Sequence, residues 1–259
     1  MLFSTGATED AASGRAARPG GTVPFRQTLL AAACAVLVLA GCGSEPAESG
    51  TASLWITRDR GGEVMLVTTV PAGLTAMQAL DREADIETRY GGRFVQSIEG
   101  VEGDLGQRRD WFYFINGFEG DRSAADYELR DGDVEWWDLR SWRKRMREPV
   151  VVGAFPEPFL HGFGGRTRQV SVRYVTGARS GATAIGRLLG ASSVAPASVE
   201  APSDAHLFLV AAETGETFTA APRNGAGEPG SPVRFVFYGD AHALARDPDR
   251  YRFRYEVRG

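Results

Sequence analysis

The sequence predicts an α+β protein made of two consecutive small units, and three observations carry that prediction. Between Leu54 and Met146 most apolar runs alternate with a period of two, the signature of strands with distinct faces, and a single stretch repeats at helical spacing. Between Glu148 and Arg166 prolines and glycines break any regular element. From Gln169 onward strand-like and helix-like stretches alternate.

In the first unit LWITR (Leu54–Arg58) and EVMLVTTV (Glu63–Val70) are rich in β-branched residues. They flank Asp59-Arg60-Gly61-Gly62, so they read as a hairpin. Thr75–Ala84 follows, with Met77, Leu80 and Ala84 on one helical face. RFVQSIEGV, DWFYFINGF and DVEWWDL then read as three strands, with Asn116-Gly117 and Asp131-Gly132 as turns. The order ββαβββ is that of a β-grasp-like sheet with one helix laid across it.

The passage Glu148–Arg166 is too rich in Phe155, Phe159, Leu160 and Phe163 for a solvated linker. It reads as an extended clasp lying on the surface of one or both units. In the second unit (168–259) QVSVRYV is a strand and Ala182–Gly190 a short helix. AHLFLVAA is a strand with ETFTA as its hairpin partner, PVRFVFYG a strand, DAHALARD a helix and YRFRYEV a final strand. That alternation suggests a second small α+β domain, ferredoxin-like in outline. The stretches Ala195–Asp204 and Pro222–Ser231 read as loops.

The chain ahead of these units carries an address. Arg26 precedes an apolar run that is too short to span a bilayer as a helix and has the flanks of a signal peptide. Leu39-Ala40-Gly41-Cys42 resembles the bacterial lipobox. The resemblance implies cleavage before Cys42 and diacylglycerol on its thiol, leaving the protein on the outer face of the cytoplasmic membrane; two acyl chains give stable anchoring. On this reading residues 1–41 are a signal peptide, with translation starting downstream of Met1, near Val23, and 42–53 a flexible tether. The other cysteine, Cys34, lies in the removed run, so no disulfide is expected in the exported protein.

Of the 259 residues 43% are hydrophobic and 24% charged, and the formal net charge is −4. A nucleic-acid partner would call for a basic excess, so none is expected. The three histidines, His161, His206 and His242, do not fall at metal-ligand spacing, and no nucleophile-elbow, zinc-protease or phosphate-loop motif occurs. Ser180 reads as the N-cap of its helix, Asp131 and Asp133 as turn residues, and His161 as a loop histidine. The expectation is therefore no enzyme, no catalytic residue, no metal and no cofactor.

Aromatic side chains hold more content. In DVEWWDLRSW, Val134 and Trp136 share one face of a strand, while Trp137 and Leu139 share the other. In the strand before it Trp111, Tyr113 and Ile115 oppose Phe112 and Phe114. Two strands of one small sheet are thus apolar on both faces, and one helix covers one face. The clasp and second unit are one candidate for the other covering; a flat ligand or a partner protein is another, since large bare aromatic patches are rare on monomers. Trp136 reads as core, and Trp137 and Trp142 as candidates for the outside. The basic run Trp142–Arg147 reads as a solvated end, or as a contact for anionic lipid or an acidic ligand.

Several segments resemble one family in order and spacing: Val70–Leu80, Phe94–Ile98, Asp110–Gly117, Ala124–Tyr127, and Asp131–Asp133 with Trp136. Together, from about Thr68 to Trp142, they are similar to the transcobalamin-like C-terminal domain. In animal cobalamin carriers the similar domain closes over the vitamin as half of a two-domain clamp, and bacterial relatives are often lipoproteins, some accompanying vitamin transporters. This chain lacks the large helical partner domain. The resemblance implies a small planar or cyclic ligand, a corrinoid such as cobalamin among them. The strand from Trp111 and the loop from Ala124 would approach it, and a membrane transporter would be the partner.

Trp111, Tyr113, Asn116, Tyr127, Trp137 and Trp142 are the candidates to stack on or hydrogen-bond to the ligand. Arg143 and Arg145 are the candidates to meet an acidic group. The alternative is an adaptor lipoprotein, monomeric like the first, whose aromatic face is buried internally or against a protein. The lipobox is open to direct test: Cys42→Ser is expected to abolish metabolic incorporation of labelled palmitate and to shift the protein out of the membrane fraction.

Overall fold

The structure is a computed structural model that describes residues 50–225 and 227–259. The expected signal peptide, Cys42 and most of the tether lie outside the described residues. The described residues make one compact unit containing two five-stranded sheets. No helix among the described residues is long and apolar enough to cross a membrane.

The first sheet begins with the expected hairpin, β1 (Thr51–Arg58) and β2 (Glu63–Pro71). β1 starts at Thr51, so the tether ends earlier than expected: Asp131 Oδ1 accepts from Thr51 N–H at 2.9 Å and fixes the strand's first residue. The hairpin turn holds Gly61 at φ +75, where a Cβ would stand 1.8 Å from the Phe253 carbonyl oxygen, so only glycine fits. Helix α1 (Ala76–Glu83) is closed by a capping box between Thr75 and Gln78 and buries Ala76, Met77, Ala79 and Leu80.

Next come β3 (Ile86–Arg89), β4 (Phe94–Ile98) and β5 (Val101–Glu102), a small separate antiparallel sheet. β6 (Arg109–Ile115) and the two-residue β7 (Phe118–Glu119) form a hairpin around Asn116-Gly117, both at positive φ as an Asn-Gly turn requires. β8 (Val134–Ser141) closes the sheet in the order β2-β1-β8-β6-β7. β8 runs parallel to β1 and antiparallel to β6, so first and last strands lie side by side at the centre, as in a β-grasp.

The clasp is buried, not laid on a surface. Its Phe155 and Phe159 enter the core of the second sheet against Phe208, Phe218 and Phe235, and Phe163 packs on Phe118 and Tyr127 of the first unit. Apolar surface of this size cannot be left in water, so the two units close over it and share one continuous core.

The second sheet comprises β9 (Val170–Tyr174), β10 (Ser193–Pro196), β11 (His206–Ala212), β12 (Thr217–Pro222) and β13 (Val233–Tyr238). Its order is β10-β9-β11-β13-β12, with every pairing parallel except β12 with β13. This corrects three expectations while leaving the α+β class intact. A ferredoxin-like sheet is antiparallel, and this one is mostly parallel. β12 pairs with β13 and not with β11. Ala195 and Pro196, expected to open a loop, belong to the edge strand Ser193–Pro196. Helix α2 (Arg179–Leu188) and helix α3 (Ala241–Arg246) pack on one another and cover one side, leaving the other to the clasp.

YRFRYEV is not a strand either. After a 3-10 turn at Pro248–Tyr251, Phe253 at φ +66 breaks the extended run. The tail then lays Phe253 and Tyr255 over Trp55, Phe114 and Trp136 of the first sheet. Val151 and Ala154 of the clasp complete that second, smaller core. The covering over the Trp136 face is therefore the chain's own clasp and C-terminal tail.

This shared core predicts joint unfolding. All five tryptophans lie in the first unit, whereas Phe159 sits in the second unit's core. Phe159→Ala is expected to cost about 3–5 kcal/mol in urea unfolding. Tryptophan fluorescence and far-UV circular dichroism should move together to the lower midpoint. Separate transitions would show two independently stable domains.

Candidate functional site

β6 is paired along its whole length with β8, but on its other side β7 meets only Phe114 and Ile115. A groove of about 500 Å³ opens along the remaining edge, between β6 and the β3-β4-β5 sheet. Its floor is Trp111, Tyr113 and Trp137, with Met77 of α1 and Val95 of β4 alongside. Tyr113 stacks on Trp137 with ring centroids 5.3 Å apart. Each ring is held by its polar end: Trp111 Nε1 donates to Val101 O at 2.9 Å, and Tyr113 Oη donates to Arg122 O at 2.7 Å. Gly120 lets the chain pass over Tyr113, because a Cβ there would fall 2.1 Å from the ring.

The groove's rim is exposed and mixed. Tyr90 is 80% exposed and Phe94 39%. Arg93 and Arg122 stand beside them, the first paired with Asp126 and the second with Asp121. Asp110 is half-buried; burial raises its pKa, against the Trp111 N–H and Arg89, which lower it. Burial likewise raises the Tyr113 hydroxyl, so it remains a neutral donor.

Beneath this floor Glu135 is fully buried. Its Oε1 accepts from Trp137 Nε1, and its Oε2 has no hydrogen-bond partner. Burial, reinforced by the charge of Asp133, raises its pKa well above the ordinary value, against the hydrogen bond from Trp137, which lowers it.

Three of the expected contact residues, Trp111, Tyr113 and Trp137, thus meet in the groove. Trp137 is not on the outside: it is 3% exposed and lies on the α1 face, opposite Trp136. Asn116 and Tyr127 are elsewhere, in a buried polar knot around Asp133. Asn116 Nδ2 donates to Asp133 Oδ1 at 2.7 Å and to Gly162 O at 3.0 Å. Tyr127 Oη and Arg130 N–H donate to Asp133 Oδ2 at 3.1 and 3.0 Å. This knot ties the β6–β7 turn to the clasp, so Asp133 is more than a turn residue.

Trp142 lies beyond the end of β8 under Arg108, and Arg143 is exposed. Arg145 is bound to Glu148 at 3.0 Å, and buried Arg140 fastens the basic run by donating to the carbonyls of Arg145 and Met146. Tyr90, Phe94, Arg93 and Arg122 were not foreseen. An aromatic beside the turn glycines Gly91-Gly92 was the available signal for the first.

Among the histidines, His161 Nδ1 meets Glu157 Oε1 at 2.6 Å, which raises its pKa. Ser180 lies inside α2, whose N-cap is Ala178, and its Oγ is 3.1 Å from His242 Nε2. His161 and Ser180 therefore have different partners and form no pair. Among the described residues no cluster of three or more His, Cys, Asp or Glu could hold a metal.

The sequence of this aromatic domain matches a known family. Residues 73–141 match the family described as Domain of unknown function (DUF4430). Residues 73–141 are a DUF4430 domain. Among solved structures the chain is similar to a protein of Ruminococcus gnavus ATCC 29149 provisionally described as metal-binding. That likeness has 17% identity and a TM-score of 0.30, over 36% of this chain and 98% of that one. It is also similar to haptocorrin in complex with Cbi, at 18% identity and a TM-score of 0.28, over 36% of this chain and 26% of that one. Likeness at this level does not say what this chain binds. No curated protein matches.

One buried group outside the groove sets a pH dependence. His206 is 1% exposed, beside Phe118 and Phe159, and its Nδ1 accepts from Val233 N–H at 3.2 Å. Burial first, then the charges of Arg168 and Arg223, push its pKa from 6.5 down to about 4. The unfolded chain takes up this proton more readily than the folded one. The histidine's contribution is therefore complete above about pH 6.5 and lost as pH falls toward about 4, roughly 3 kcal/mol in all. His206→Asn keeps an acceptor for Val233 N–H, and should show a shallower fall in stability between pH 7 and 4 than the wild type.

Proposed function

We propose that this chain is a lipid-anchored protein of the outer face of a bacterial cytoplasmic membrane that captures a small, planar, largely apolar molecule in the β6 groove. It then presents that molecule to a membrane transporter. The observation that carries the reading is the groove: a volume of about 500 Å³ walled by Trp111, Tyr113, Trp137, Phe94 and Tyr90. Small-molecule sites are commonly concave, mostly apolar and of this size, with a few fixed polar groups for orientation. The indole and phenol rings are held by hydrogen bonds before any ligand arrives, so little ordering is needed on binding. Export and anchoring rest on the lipobox at Leu39–Cys42.

The resemblance to transcobalamin-like domains makes corrinoids the first ligands to test. A whole corrinoid is larger than the groove, so it would lie across the mouth, with one edge against Tyr90 and Phe94. A second reading, an adaptor that binds protein, has one observation in its favour: Tyr90, Phe94 and Leu105 leave an apolar rim exposed, with Leu105 at 68%.

Equilibrium dialysis of the 44–259 unit against cobalamin, cobinamide and haem separates the two. Saturable binding with Kd of about 1 μM or below is expected for at least one of them. Phe94→Ala at the rim should weaken it about tenfold. Trp137→Phe tests the floor while keeping an aromatic ring in the core. Absence of binding by the folded wild type would retire the planar-ligand reading and leave the adaptor.

A further inference from the structure

We propose that a second cleft, next to the groove, binds an anionic group of the same ligand, so that the molecule captured is an amphiphile with an apolar ring at one end and a carboxylate or phosphate at the other. The inference rests on the groove reading and adds the chemistry of the ligand's other end.

The cleft has a volume of about 590 Å³ and lies where the segment Arg122–Arg130 of the first unit faces the Phe163–Arg168 loop of the clasp and the Pro229–Ser231 turn. Arg122, Arg130, Arg166 and Arg168 all line it. Arg122 lines the groove as well, and the short Ser123–Asp126 ridge has Ser123 and Ala124 on the groove side and Asp126 on the cleft side. A ligand lying over Arg122 would therefore touch both cavities.

Charge in the cleft runs against the chain as a whole, whose formal net charge is −4. The acids nearby are Asp121, Asp126 and Glu128. Asp121 is paired with Arg122, and Asp126 with Arg93 from the groove side. Arg168 is committed to structure, donating to Gly230 O at 2.6 Å and to Asp204 O at 3.2 Å. Arg166 differs: its side chain makes no hydrogen bond or ion pair among the described residues. It is carried by a loop whose shape is fixed by Gly162, Gly164 and Gly165 at positive φ and by a hydrogen bond from Gly164 N–H to Tyr127 Oη at 3.1 Å.

A guanidinium on a rigid loop, with other guanidiniums across the cleft, suits a carboxylate or phosphate, whose oxygens match its planar fork. Four arginines against Asp126 and Glu128 leave the lining with a cationic excess, which attracts an anion. The expected acid-recognising arginines, Arg143 and Arg145, are not in either cavity, and Arg145 is held by Glu148. Arg122 and Arg166 take that role here.

The test uses a matched pair of probes, 1-pyrenebutanoic acid and 1-pyrenebutanol, which share ring and chain and differ in the charged group. Fluorescence titration of the 44–259 unit at low salt should show the acid binding about tenfold more tightly than the alcohol, with the advantage shrinking as salt rises. The double variant Arg122→Gln, Arg166→Gln should bring the two probes within about twofold of each other, and Arg166→Gln alone, outside the groove, should lower the acid's advantage while leaving the alcohol's affinity unchanged. Both side chains are at the surface, and an unchanged melting temperature verifies the fold.

Equal binding of acid and alcohol by the wild type, or an advantage that survives the double variant, would overturn the cleft proposal and leave the groove reading standing. Failure of both probes to bind would overturn both. Competition by inorganic phosphate and by acetate then tells which anion the cleft prefers.

Discussion

Everything in this molecule is arranged around a central strand that cannot face water on either side. β8 carries Trp137 and Leu139 on one face and Trp136 on the other, and all three are buried. One face is closed by α1. The other is closed by chain from far away in sequence, Val151 and Ala154 of the clasp and Phe253 and Tyr255 of the tail. The C-terminal unit is therefore structurally required by the first sheet. Without it, Trp55, Phe114 and Trp136 would stand in solvent.

The same face buries charge, and it does so only with partners. Asp138 accepts from Thr57 Oγ1, from the N–H groups of Arg60 and Gly61, and from Tyr255 Oη. Arg140, with no exposed side-chain surface, donates to Glu119 at 2.9 Å and lies over the Phe112 ring at 3.6 Å. Removing one member of such a set would leave an uncompensated charge, which costs far more than the set contributes when complete. These contacts fix how the tail enters: the Tyr255 hydroxyl has one carboxylate to find, and Thr57 and the Arg60–Gly61 turn supply the rest of that carboxylate's donors.

What the sequence makes legible follows from local physics. Alternation assigned Trp136 and Trp137 to opposite faces, and the structure keeps them there. Thr75 and Gln78 mark the start of α1, and Asn116-Gly117 marks the β6–β7 turn, because each signal acts within a few residues. The coverings were less legible. The pattern of Tyr251, Phe253 and Tyr255 alternates like a strand, but Tyr251 packs on Phe218 and Phe237 of the second sheet while Phe253 and Tyr255 cross to Trp136 and Asp138 of the first. Asn116 and Tyr127 were expected as ligand contacts through the family resemblance, and of the two only Tyr127 lines a cavity, the arginine-lined cleft. Their partner, Asp133, could be recognised only once Gly162 and Gly164 of the clasp were seen to close the knot.

The groove itself is a consequence of where pairing stops. The Asn116-Gly117 turn is tight enough to return the chain along β6 for two residues only, after which Gly120 crosses Tyr113 and the chain leaves for the Ser123–Asp126 ridge. The rest of that edge is left to side chains, and the residues there are Trp111 and Tyr113, backed by Trp137. An aromatic edge that no strand covers would invite another chain to add itself as a strand. Here the β3-β4-β5 sheet stands opposite, with Phe94 and Tyr90 at its lip, and leaves a slot suited to a flat molecule. Because the departing ridge also forms one wall of the arginine-lined cleft, the turn that ends β-pairing places the apolar site and the cationic site side by side.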